Sequence, residues 1–152
     1  MFAFLLLVSL LLNGNFAQGL AHWQADPGWS ASKGVAQLSI DNRAGTGTRG
    51  ANLCSDVYAV ARSQVLRGSA DVWQRKAAQG YVFVGVRWYD AHGAPLWTEM
   101  LTSNEGTSNR TWHTLRFETV VPDEAAQASF CFFAGGYEGQ VYRAQADNAT
   151  MR

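Results

Sequence analysis

From residue 35 onward the chain alternates apolar and polar side chains over short stretches, each closed by glycine, asparagine, aspartate or serine. A period of two places successive side chains on opposite faces of a strand, and no segment carries a convincing helical period. The stretches are residues 35–41, 53–60, 64–75, 81–90, 96–101, 111–121, 126–133 and 140–151. Eight or nine short strands with turn-sized gaps predict an all-β chain, an antiparallel two-sheet β-sandwich. Asp90-Ala91-His92-Gly93 reads as a hairpin loop, and Pro122 ends a strand because it cannot donate to a ladder.

The alternation also assigns faces. Val82, Val84, Val86 and Trp88 share the inward side of their strand, leaving Phe83, Gly85, Arg87 and Tyr89 outward. Leu66, Gly68, Ala70 and Val72 are inward, so Arg67, Ser69, Asp71, Trp73 and Arg75 face out and Trp73 is expected to stand exposed. In residues 126–133, Ala128, Phe130 and Phe132 are inward and Gln127, Ser129, Cys131 and Phe133 outward. Trp23, Trp88 and Trp112 are expected in the core, while Trp29, Trp97 and Tyr137 lie near loops and are not assigned.

A length of 152 residues suits one domain and a monomer. Hydrophobic residues make up 47% and charged residues 16%, which excludes disorder; a net charge of zero offers no basic surface to nucleic acid and suits a neutral ligand. The sequence has no Gly-x-Ser-x-Gly elbow, no His-Glu-x-x-His, no phosphate-cradling loop and no dinucleotide fingerprint. His22, His92 and His113 fall in unrelated segments, so no catalytic residue is named. Cys54 and Cys131 are too few for a zinc site and too far apart for a redox pair; one disulfide and two buried thiols both fit.

Residues 1–11 form an apolar segment, too short to span a bilayer. Three readings fit: a signal-peptide core, the end of a membrane segment in a longer polypeptide, or the start of strand one. The first two favour export, and the β-sandwich domain is taken as residues 12–152.

Four motifs occur in the order of a known family. Residues 12–23 (LNGNFAQGLAHW), residues 86–93 (VRWYDAHG), Thr111-Trp112 and residues 139–151 (GQVYRAQADNATM) together resemble the carbohydrate-binding modules of families 4 and 9 and related galactose-binding-like jelly rolls. The resemblance implies a jelly roll with neighbouring termini, no catalysis, an extracytoplasmic, secreted or cell-surface location, and polysaccharide or oligosaccharide as partner. Its groove would lie on a concave sheet or at the loop edges; on the face assignment above, Trp73 and Tyr89 would stack on sugar rings and Asp71, Arg87, Gln127 and Ser129 would bind hydroxyls. Trp73, Asp71, Arg87 and Tyr89 are expected to form one platform. The family's structural calcium would sit near Asn15 and Asp147, but Ala17 stands where the family commonly has Glu, which argues against the ion, so no cofactor is expected. The alternative is a structural or protein-interaction sandwich without a sugar site, an ectodomain tethered to a membrane or polysaccharide-assembly protein.

Overall fold

The computed structural model describes residues 9–152; the remainder of the apolar segment, residues 1–8, lies outside the described residues. Two antiparallel sheets face each other. The first runs β1 (Trp23–Ala25), β4 (Arg49–Ser55), β10 (Gln127–Gly136), β7 (Gly80–Tyr89) and β8 (Pro95–Ser103), with β5 (Tyr58–Ala59) also pairing with β10. The second runs β2 (Trp29–Ser32), β3 (Val35–Asp41), β11 (Val141–Met151), β6 (Val65–Gln74) and β9 (Trp112–Val120). A single 3₁₀ turn, Ala77–Gln79, links β6 to β7. The two-sheet sandwich is as the alternation predicts. The sequence does not reveal β1 and β2, whose three and four residues are too short to display a period. The stretch 53–60 divides into β4 and β5, and β4 begins at Arg49, inside a glycine-rich stretch that reads locally as loop. Pairing with β10 overrides that local preference, with Gly50 opposite Gly135.

Val82, Val84, Val86 and Trp88 of β7, Phe130 and Phe132 of β10, and Leu66, Ala70 and Val72 of β6 fill the space between the sheets, on the face the alternation assigns. One end is closed by aromatic rings: Phe16 lies 5.0 Å from Trp23, and Trp23 lies 5.8 Å from Phe132. Trp29 joins this core and donates its indole N–H to the Ala51 carbonyl at 3.0 Å. Trp112 departs from expectation. It pairs with Trp73 across β9 and β6, and because Trp73 faces outward, the register turns Trp112 outward too, leaving it 44% exposed.

The chain's two ends meet. The Leu10 N–H donates to the Met151 carbonyl at 2.7 Å, the Ala149 N–H donates to the Gly14 carbonyl at 2.8 Å, and Leu11 is buried in the core. Any side chain at Gly14 would collide with the Ala149 carbonyl, so only glycine allows this approach. At the residues matching the family's calcium site the side chains accept local hydrogen bonds. Asn15 Oδ1 accepts from the Ala17 N–H, and Asp147 Oδ1 accepts from the Asn148 N–H. Among the described residues no group of three His, Cys, Asp or Glu side chains could hold a metal.

Candidate functional site

The outer face of the first sheet is organised in cross-strand rows. Gln127 lies opposite Tyr89, Ser129 opposite Arg87, Cys131 opposite Gly85, and Phe133 opposite Phe83. Four of the six residues expected to contact a ligand, Arg87, Tyr89, Gln127 and Ser129, are therefore immediate neighbours. Cys54 and Cys131 are directly opposed in β4 and β10, with Cα atoms 4.1 Å apart, and form a disulfide on this face. Phe83 and Phe133 pack with it. Tyr81 extends the aromatic end, with its ring 5.5 Å from Phe83 edge-on and 5.9 Å from Tyr137. The Arg87 guanidinium lies 6.0 Å from the Phe133 ring centroid, joining the polar end to the aromatic end.

Although it faces away from the core, this surface is unusually sheltered. Along β10, Ser129 and Cys131 are completely buried and Phe133 nearly so. At Gly85 a Cβ would strike the Glu99 carbonyl, so the backbone of β8, irregular in register at this point, approaches β7 closely on this side. The Ser129 hydroxyl is buried without a hydrogen-bond partner among the described residues. Burial raises the pKa of the Tyr137 phenol, with Glu105 and Tyr81 adding to the shift, so at neutral pH it remains a hydrogen-bond donor.

Trp73 and Asp71 do not belong to this surface. Both lie on β6, in the second sheet, and their side chains point to the opposite outer face of the sandwich. The single platform of Trp73, Asp71, Arg87 and Tyr89 is therefore divided between two faces, because alternation gives the side of a strand but not the sheet it joins. Trp73 is half-buried rather than exposed. Asp71 accepts from the Thr114 hydroxyl at 2.6 Å and from Asn148 Nδ2 at 3.0 Å. Asp147 lies opposite it, and burial, with Asp71 alongside, pushes the Asp147 carboxyl above its usual range. Sequence reasoning left out Phe83, Phe133, Tyr81 and Tyr137. Phe83 and Phe133 already occupied the outward phase, and that signal could have found them.

His22 Nδ1 lies 2.7 Å from Asp56 Oδ2, and the Asp56 N–H donates to the His22 carbonyl at 2.9 Å. This double link fastens the turn before β1 to the end of β4 on an exposed edge.

With this geometry in view, the fold can be compared with known proteins. No protein-family model matches the chain, and no curated protein matches it. Among solved structures, a family 4 carbohydrate-binding module superposes with a TM-score of 0.62 at 15% identity, over 93% of this chain and 97% of that one. A family 61 module, solved in complex with β-1,4-galactotriose, gives 0.62 at 11% identity, over 95% and 98%. The enzymatically active domain of tailspike protein 4 of bacteriophage CBA120 gives 0.66 at 12% identity over 95% of this chain, which spans only 21% of the tailspike chain. At these identities the similarity concerns fold. The chain has the antiparallel jelly-roll sandwich found in carbohydrate-binding modules.

Proposed function

We propose that this chain is a non-catalytic carbohydrate-binding module that takes a neutral oligo- or polysaccharide on the outer face of its first sheet, within the family 4 and 9 group its motifs resemble. The observation that carries the reading is the sheltered surface built from Arg87, Tyr89, Gln127 and Ser129, continuous with the rings of Tyr81, Phe83 and Phe133. A neutral sugar presents C–H faces that stack on aromatic rings and hydroxyls that both donate and accept, and this surface offers both kinds of contact. An extracytoplasmic location is supported by the Cys54–Cys131 disulfide, because such bridges persist in oxidising compartments. The domain, taken from the sequence as residues 12–152, would act as a single binding unit together with Leu10 and Leu11, which respectively bond to Met151 and enter the core.

The test is calorimetric titration of neutral β-linked tetrasaccharides into the wild-type chain and into Tyr89→Ala and Arg87→Ala. At least one sugar should bind, and both substitutions should weaken it several-fold without lowering the melting temperature. Binding that neither variant weakens, or none across a broad glycan array, would favour the tethered, sugar-free sandwich.

A further inference from the structure

The second sheet carries a different arrangement on its own outer face. One cross-strand row reads Trp112, Trp73, Gln145, Gln37 and Ser30, from β9 to β2. At about 4.8 Å between strands, this row extends about 19 Å. The next row along the strands holds Arg75 and Arg143, facing each other across β6 and β11, where the Arg75 N–H donates to the Arg143 carbonyl at 2.9 Å. Ser39 continues that row on β3. A groove of about 440 Å³ is lined by Trp73, Gln145 and Gln37 together with both arginines.

The arginine pair is the informative feature. Like charges directly opposite on neighbouring strands destabilise a sheet. Elsewhere Arg43, Arg62 and Arg67 each pair with a carboxylate, Asp41, Asp123 and Glu118 respectively. Arg75 and Arg143 form no ion pair among the described residues. Lys76 follows Arg75 in sequence, and the Arg110 backbone N–H donates to the Gln74 carbonyl at 2.7 Å, so two further basic residues lie near this end of the sheet. Asp71 and Asp147 lie beyond the tryptophan row, about 13 Å from the arginines along the strands, more than a Debye length at physiological salt. On the other side Asp41 is held by Arg43.

We infer that the outer face of the second sheet is a second saccharide site, selective for sugars bearing carboxylates, of the uronate class. Trp73 and Trp112 stack on sugar rings, Gln145 and Gln37 bind hydroxyls, and the Arg75 and Arg143 forks take a uronate carboxylate, for which planar guanidinium geometry is suited. The site uses no residue of the first sheet and stands independently of the neutral-sugar reading.

The test titrates tetragalacturonate and β-1,4-galactotetraose into the wild-type chain, a Trp112→Ala variant, an Arg75→Gln/Arg143→Gln double variant, and Tyr89→Ala. The wild type should bind tetragalacturonate at least tenfold more tightly than the neutral probe, with affinity falling as salt rises. The double variant should abolish that preference and Trp112→Ala should weaken tetragalacturonate several-fold, while Tyr89→Ala leaves it unchanged. All four substituted positions lie at the surface, and melting curves confirm that each variant is folded. Tetragalacturonate binding undiminished in the double variant, or weakened by Tyr89→Ala and not by Trp112→Ala, overturns the second site; neither result bears on the effect of Tyr89→Ala on neutral sugars.

Discussion

At the scale of single residues, Asn104 links three strands and a turn. Fully buried, it donates through Nδ2 to Gln74 Oε1 at 3.0 Å and to the Tyr142 hydroxyl at 3.1 Å, and it accepts the Val82 N–H through Oδ1 at 2.8 Å. Its carbonyl accepts from Gln74 Nε2 and the Thr107 hydroxyl. One side chain thus ties β6, β7 and β11 to the turn after β8. Asn104→Leu should cost about 2–4 kcal/mol, since it strands partners that no water reaches; urea unfolding at neutral pH reads this directly, and a loss below about 1 kcal/mol would show the network is dispensable. Burial also pushes the Tyr142 phenol up to about 12. Its folded pKa therefore exceeds its unfolded value near 10, so its contribution is complete below about pH 10 and is lost as pH rises toward 12, a decline of about 3 kcal/mol by linkage. Unfolding free energies of wild type and Tyr142→Phe should converge over that window; parallel curves would contradict it. Little of this could be read from the sequence, because a buried glutamine and asparagine look like polar residues ending their strands until the fold brings them together.

At the level of elements, the alternation of β6, β7 and β10 placed each side chain on its correct face, because a half-buried strand enforces period two residue by residue. What it could not supply was sheet membership, which depends on which distant strand pairs with which. Trp112 shows the same limit: its orientation follows from its register against Trp73, a partner 39 positions earlier in the chain. Two predictions belong here. The disulfide closes a separation of 77 residues between β4 and β10, and in the chain-entropy account its reduction should remove about 4 kcal/mol and lower the melting temperature clearly. A melt unchanged by reductant would contradict the bridge's role. Gly85→Ala, which places a Cβ against the Glu99 carbonyl, should cost about 1–3 kcal/mol and push β8 away from β7, weakening sugar binding as well as stability.

For the molecule as a whole, the sandwich offers two outer faces of different chemistry held back to back by one core. The first is aromatic at one end and carries Arg87 at the other; the second carries a groove with a tryptophan row between arginines and aspartates. Trp88→Ala, a truncation inside the core, should cost about 3–5 kcal/mol and compromise both faces, whereas Trp73→Ala should spare the first. The proposed neutral-sugar site lies on the first sheet, not the second. It is tested most directly by titrating the best-binding neutral tetrasaccharide into Tyr89→Ala and Trp73→Ala side by side. The account predicts a several-fold loss for Tyr89→Ala and unchanged affinity for Trp73→Ala, with both proteins melting near the wild type. Loss confined to Trp73→Ala would place the neutral-sugar site on the opposite face and contradict it.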